Sequence, residues 1–348
     1  MLPAAEKKDI KAMLPEELRE DFKALGLPGY RAEQVFRWLG RGARSFEEMS
    51  DQPKALREQL GELYEIPCLT VRQKQVSAAD GTVKFLWSLP DGESVETVLM
   101  RYQHGNSVCI SSQVGCRMGC PFCASTIGGK LRDLTPSEML EEVIRTGLEA
   151  DAEISNIVLM GIGEPLDNFD NVIRFLRLVN HPDGANIGMR RISLSTCGLI
   201  PGIDKLAELN LQLTLSVSLH APDDETRARL MPIDRVYHVD ALYAACERYF
   251  KKTGRRISFE YAMVRDVNDT PYHARLLAQR LGGSGAHVNL IRLNYVSERG
   301  LQPSAEKTVR AFEKSLAEAG VTVTVRRRLG ADIDAACGQL RRGQMRNR

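Results

Sequence analysis

Cys109-Ile110-Ser111-Ser112-Gln113-Val114-Gly115-Cys116-Arg117-Met118-Gly119-Cys120-Pro121-Phe122-Cys123 gathers four of the chain's eight cysteines into one loop. Three of them, Cys116, Cys120 and Cys123, are spaced C-x3-C-x2-C, close enough for one loop to wrap a single metal centre. Gly115 and Gly119 permit the tight backbone path this needs. A [4Fe-4S] cluster takes four thiolates, so three leave one iron open to a small molecule. The alternative is a zinc site completed by Cys109, although structural zinc usually pairs C-x2-C knuckles well apart in sequence. Disulfides fit less well. Met1 to Lys8 carries no apolar segment behind its lysines, so no secretory signal is expected and the expected location is the reducing cytoplasm.

Outward from the loop, strand and helix patterns alternate. Val108 to Ser111 is a strand candidate just ahead of it, and Asn156 to Met160, Arg191 to Ser195, Leu213 to Leu219, Ile257 to Met263 and His287 to Arg292 follow. Thr135-Pro136-Ser137-Glu138 is a capping box with proline at the first helical position, opening a helix with Met139, Leu140, Val143, Ile144 and Leu148 on its apolar face. Val239, Leu242, Tyr243, Cys246, Tyr249 and Phe250 share one face of another helix, which Gly254 ends. A third runs from Thr270-Pro271 to Gly282-Gly283. Strands separated by crossover helices pair in parallel, and six such units predict an α/β fold, an incomplete (β/α)6 barrel. Chemistry in parallel barrels collects at the C-terminal strand ends. There the sequence places the cysteine loop, Gly161-Ile162-Gly163-Glu164-Pro165-Leu166, Ser195-Thr196-Cys197-Gly198, Ser218-Leu219-His220 and Asn294.

Residues 1–70 read as a small helical domain. Helices start at Pro15-Glu16-Glu17-Leu18 and over Ala32 to Leu39, where Val35, Phe36 and Leu39 have helical spacing. The turn between them, Leu25-Gly26-Leu27-Pro28-Gly29-Tyr30-Arg31, suits either a plain helical connection or a phosphate held by backbone N–H groups. Residues 71–104 read as a β-hairpin linker, with Val83 to Leu89 and Val95 to Tyr102 joined through Pro90-Asp91-Gly92. Glu96, in the second strand, is expected on its wet face. The barrel is expected over 105–325 and a basic C-terminal segment over 326–348.

The 348 residues are 43% hydrophobic and 26% charged, as in an ordinary soluble chain with room for one large or two smaller cores. Apolar runs such as Ile157 to Ile162 fall far short of the roughly 20 residues that span a bilayer. No membrane role is expected. Net charge is +2, yet from Val321 to Arg348 seven arginines (326, 327, 328, 341, 342, 346 and 348) face two acids, Asp332 and Asp334. Such a run suits a solvated tail or a phosphate backbone.

The cysteine spacing, with an aromatic before the last cysteine, resembles the radical S-adenosylmethionine (SAM) superfamily, whose fold is the same partial barrel. The resemblance implies that the amino and carboxylate groups of SAM fill the open iron. Gly163 and Glu164 then suit the methionine end of SAM, while Ser195, Ser218, Leu219, His220 and Asn294 complete the cofactor site. Cys109 to Cys123, Gly163-Glu164-Pro165-Leu166, Ser218-Leu219-His220, Leu230-Met231-Pro232 and Asp334-Ala335-Ala336-Cys337-Gly338-Gln339-Leu340 together are similar to the RlmN/Cfr family of radical SAM RNA methyltransferases over nearly the whole chain. Pro165 looks like the branch that methylates adenine C2, whereas alanine there looks like the C8 branch.

Adenine C2 is electron-poor and no nucleophile, so direct methyl transfer from SAM is closed to it. The resemblance implies two SAM per methylation. One methylates Cys337; the other, on the cluster, yields the radical that takes a hydrogen from that methyl group. The carbon adds to C2, Glu96 serves as base, and the Cys109 thiolate releases methylated RNA and leaves a disulfide. Implied partners are 23S rRNA, tRNA and a one-electron donor such as flavodoxin or ferredoxin, and a monomer is expected. A C8-specific enzyme, a non-catalytic metal-containing RNA-binding protein and a radical SAM enzyme acting on a small molecule stay open from sequence.

Overall fold

A computed structural model of the chain describes residues 7–296, 298–335, 338 and 339. Its first strand, β1 (Lys8–Asp9), leads into three helices: α1 (Pro15–Ala24), α2 (Gly29–Gly40) and α3 (Lys54–Leu63). Strand β2 (Tyr64–Glu65) then returns parallel to β1. Both helices anticipated here form, with Pro15 at the first position of α1 and Pro28 capping α2. Each buries one stripe, Leu18 and Phe22 from α1, then Ala32, Val35, Phe36 and Leu39 from α2. These side chains belong to the same continuous apolar core as the sheet.

Strands β3 (Thr70–Val76), β4 (Val83–Ser88), β5 (Ser94–Tyr102) and β6 (Gly105–Cys109) form an antiparallel meander. A short antiparallel ribbon follows, β7 (Gln113–Gly115) against β8 (Lys130–Asp133), and the three-cysteine segment is the loop at its tip. Helices and strands then alternate: α4 (Pro136–Glu149), β9 (Ile154–Leu159), α5 (Phe169–Asn180), β10 (Ile192–Thr196), α6 (Ile200–Glu208) and β11 (Thr214–Ser218). After them come α7 (Asp224–Leu230), α8 (Val239–Thr253), β12 (Ser258–Met263), α9 (Pro271–Leu281), β13 (His287–Arg292), α10 (Glu306–Glu318) and β14 (Thr322–Val325).

The main sheet has the order β14-β13-β12-β11-β10-β9-β6-β5-β4-β3. Its stretch from β6 to β13 is the six-stranded parallel array of an incomplete (β/α)6 barrel, as the alternating pattern predicts. Two extensions are added. Strand β14 joins in parallel after α10, and the β3–β5 meander continues the sheet on the other side, with Val98 of β5 opposite Cys109 of β6. No helix among the described residues is long and apolar enough to cross a membrane.

Buried charges fasten the parts together. Lys11, from the N-terminal segment, pairs with Glu141 of α4 at 2.7 Å, both side chains fully buried, and the second Glu141 oxygen accepts from the Leu69 N–H. The neighbouring Glu142 accepts from the Ser111 N–H and the Thr97 hydroxyl, so the first turns of α4 hold the start of the cysteine loop. Burial raises the Glu142 carboxyl well above the usual carboxylate range. The capping box that predicts α4 is present, with Thr135 accepting from Glu138 N–H and Glu138 reaching back to Thr135 N–H.

Candidate active site

The loop conformation rests on glycine at two places. Gly115 has φ +80°, and a Cβ there would lie 1.9 Å from the Gly129 carbonyl oxygen, so only glycine lets the ribbon close behind Cys116. Gly163 has φ +110°, and its Cβ would meet the Gln113 side chain at 2.7 Å. Gln113 joins the two segments: its amide oxygen accepts from Glu164 N–H at 2.9 Å, and its amide nitrogen donates to Asp167 and Asp133. Asp167 also receives Lys130 and Arg117, the residue after Cys116. Those cationic and amide donors hold its carboxyl below the usual range despite burial.

Cys116, Cys120 and Cys123 line one cavity of about 160 Å³ together with Gly161, Gly163, Glu164, Ser195, Ser218, His220 and Asn294. Sequence residues from five strand ends therefore meet in one place. Leu219 does not join them. Its side chain is fully buried in the main core, and only its carbonyl serves the site, accepting from Arg227 at 3.2 Å.

Burial pushes the Cys116 thiol up to about 12 and raises that of Cys120, so these sulfurs ionise only with a compensating positive charge, as a metal centre provides. Three thiols facing a cavity with carboxylate, imidazole and hydroxyl groups fit a [4Fe-4S] cluster with SAM on its open iron.

Glu164 is buried, and each of its oxygens accepts one backbone N–H, from Leu166 at 3.0 Å and from Cys197 at 2.7 Å. Its carboxylate keeps further lone pairs for a ligand ammonium, although burial raises its pKa. His220 sits at φ +58°, with Nδ1 accepting from Ala262 N–H at 3.0 Å and its ring edge-on to Phe122. Burial, helped by Arg227, lowers its pKa to about 3, so the imidazole is neutral and carries its proton on Nε2.

That shift has a consequence for stability. The folded pKa lies below the unfolded value of about 6.5, so the unfolded chain binds more protons between these values and stability rises with pH there. The contribution is complete above pH 6.5 and is lost as pH falls towards 3. Lowering the pH from 7.5 to 5 is expected to reduce the urea midpoint of the wild type more than that of His220→Asn, asparagine being tolerant of positive φ. Equal acid losses in both proteins would contradict this.

Cys109, the last residue of β6, faces a second cavity with Val98, Met100, Tyr102, Arg327 and Ala335. The two cavities share Met160, Ile291, Asn294 and Arg326. Cys109 does not line the three-cysteine cavity, an arrangement unlike a four-cysteine zinc knot. No disulfide links any two described cysteines. Glu96 departs from the sequence expectation: it is buried, not on a wet face, and pairs with Lys84 at 3.1 Å. The cause is the C-terminal segment, which folds back over this face. Asp332 accepts from the Ser77 hydroxyl and the Ala78 N–H, Gly330 N–H donates to Asp80, and Lys84 also donates to the Asp334 carbonyl. Cys337 lies outside the described residues; Ala335 lines the Cys109 cavity and Gly338 the three-cysteine cavity.

Sequence patterns did not single out Gln113, Cys197 or Arg227. Cys197 lines the cavity, and its thiol is raised well above the usual range by burial. Arg227, fully buried, donates to the Cys197, Ser218 and Leu219 carbonyls at the ends of β10 and β11. An arginine in Asp-Glu-Thr-Arg-Ala-Arg-Leu reads as a solvated helix face; only tertiary packing shows otherwise.

A partial parallel barrel with three loop cysteines at its strand ends defines a radical SAM protein. The radical SAM superfamily model matches residues 110–276, and the model of the ribosomal RNA large subunit methyltransferase N-terminal domain matches residues 9–66. Within that superfamily the chain belongs to the RlmN family. It is 48% identical to a protein of Lachnoclostridium phytofermentans named "Probable dual-specificity RNA methyltransferase RlmN", covering 98% of this chain and 96% of that one. A Thermoanaerobacter protein of the same name is 46% identical, with 98% and 99% covered. A crystal structure of a radical SAM methyltransferase from Sphaerobacter thermophilus superposes with a TM-score of 0.92 at 41% identity, covering 97% of this chain and all of that one. Membership in the superfamily implies a [4Fe-4S] cluster and SAM.

Proposed function

We propose that the protein is a cytoplasmic radical SAM methyltransferase that methylates C2 of an adenine in RNA, in 23S rRNA and in tRNA, with Cys337 as methyl carrier and Cys109 as the releasing thiol. The observation that carries this reading is the pair of adjoining cavities, one with the three cysteines and Glu164, the other with Cys109 beneath arginines. Relatives that match nearly end to end are named dual-specificity RNA methyltransferases, which supports RNA as substrate.

When bound, the cluster supplies one electron for cleavage of SAM, and SAM supplies the methyl carbon. The protein's residues do the rest. Cys116, Cys120 and Cys123 hold iron, while Gly163 and Glu164 orient the ammonium of SAM. Ser195, Ser218, Asn294 and the Nε2–H of neutral His220 offer hydrogen bonds to its remaining polar groups. Buried Glu96 takes the C2 proton once carbon has bonded there, and the unpaired electron that the addition leaves on the ring returns to the one-electron couple that supplied it. Cys109 then attacks the sulfur of Cys337; the S–C bond breaks, the carbon leaves with the electron pair and gains a proton as methyl, and the two sulfurs are oxidised to a disulfide. A flavodoxin or ferredoxin suits the electron supply, and two SAM are consumed per methyl transferred.

Nucleoside mass spectrometry of RNA treated with anaerobically reconstituted, reduced protein and SAM tests the reading. The expected product is 2-methyladenosine. Exclusive 8-methyladenosine would overturn the regiochemistry, and unmodified RNA from protein loaded with about four irons per chain would overturn the methyltransferase assignment.

A further inference from the structure

Past the end of β14, Arg326, Arg327 and Arg328 all border the cavity that holds Cys109. Arg326 is half-buried and also lines the three-cysteine cavity, so it belongs to the interior. Arg327 and Arg328 differ: both are exposed, and neither has an ion pair or hydrogen bond among the described residues. Elsewhere on this surface exposed arginines meet acids, as Arg248 meets Asp204 and Arg310 meets Glu306 and Glu313. Two adjacent guanidiniums at the rim of a cavity that ends on a thiol, with no carboxylate against them among the described residues, offer a paired anion site.

Another part of the rim is aromatic. Tyr102 closes β5 and lines the cavity, and His104 lies in the tight turn before β6; their rings stack with centroids 5.1 Å apart and planes 16° from parallel. His104 is exposed. Stacked rings at the edge of a basic opening match what an unpaired nucleotide needs, a flat surface for its base and cations for its phosphates.

We infer that this rim is an RNA clamp: Arg327 and Arg328 hold the phosphates flanking the target nucleotide, and the Tyr102–His104 stack receives an unstacked neighbouring base, so that the target base alone enters the Cys109 cavity. The clamp rests on the RNA methyltransferase reading and adds to it the residues that grip single-stranded RNA.

Two signatures separate the parts. Holoenzyme is titrated with a fluorescent RNA stem-loop carrying an unpaired adenosine, over a range of salt. Replacing both arginines by glutamine is expected to flatten the slope of log K against log salt by roughly 1.4, at about 0.7 per phosphate released from a single strand. Arg327→Lys with Arg328→Lys keeps the charge and should keep the slope. Tyr102→Ala is expected to weaken binding by about tenfold or more while leaving the slope unchanged, because stacking releases no counterions. Iron content, equal to wild type in each variant, shows that the fold is intact. The clamp falls if wild type methylates the RNA while the glutamine variant keeps the full slope and Tyr102→Ala keeps full affinity. The clamp stands, and the methyltransferase reading falls, if wild type shows the arginine-dependent slope yet never modifies the RNA.

Discussion

Replacing Cys109 by alanine is expected to stop multiple turnover, a loss of at least about 10³-fold, since residues acting as a unit in covalent catalysis show losses of this order or more. It should also convert protein into a covalent adduct with RNA. The order of steps requires this. Cys109 stands at the C-terminal end of β6, opposite Val98 and above the apolar side chains of Met100 and Ala335, in a cavity that adjoins the one lined by Cys116, Cys120 and Cys123. On the proposed assignment, removing its sulfur takes no ligand from the cluster. Iron content should therefore match wild type, and carbon–carbon bond formation on Cys337 should proceed until each protein holds one RNA. Denaturing electrophoresis with labelled RNA reads the adduct directly. Recovery of free RNA and unreacted methylcysteine from Cys109→Ala would place Cys109 before bond formation and overturn the assignment. Loss of iron in the same variant would return Cys109 to the metal centre.

The largest expected stability loss comes from a residue outside the chemistry. Arg227 and Asp234 pair at 2.9 Å with 0% and 1% of their side chains exposed. Arg227 further donates to the Cys197 carbonyl at 2.7 Å and to the Leu219 carbonyl at 3.2 Å, tying the ends of two barrel strands under the cavity. Asp234→Ala leaves a buried guanidinium without its counter-charge, which typically costs about 3–5 kcal/mol. Urea unfolding should show that loss, and Asp234→Asn, which keeps one acceptor, should recover part of it. A change below about 1 kcal/mol in Asp234→Ala would mean that water reaches Arg227 and that the pair does not hold the two strand ends.

Much of the fold was legible because its signals are local. The capping box at Thr135 predicts α4 to within a residue, Gly254 at φ +66° ends α8 where expected, and the six apolar strand segments become the six parallel strands. Signals carried by few residues were not legible. Strand β14 is four residues, Thr322 to Val325, half-buried or exposed throughout, and only pairing to β13 makes it a strand. The hairpin at 83–102 forms as anticipated, but nothing local states that β5 pairs with β6 and so extends the barrel sheet. Glu96 shows the cost of local reasoning. Its alternating neighbours suggest one wet face, yet both faces of β5 are covered, one by α4 and the other by chain more than two hundred residues away.

By itself, then, the sequence determined the class of fold and named the candidate ligands: three thiols in one loop, and strand–helix alternation that leaves a parallel sheet as the natural pairing. Tertiary structure alone decided which side chains share a cavity. It separated Cys109 from the other three cysteines, buried Glu96 against Lys84, withdrew Leu219 into the core and set Arg327 and Arg328 at the rim. The physical reason is range. Backbone conformation and coordination number follow from neighbours a few residues apart, whereas burial and electrostatic partnership are set by chain that returns from far along the sequence, here the segment from Gly330 to Ala335 folding back over β4 and β5.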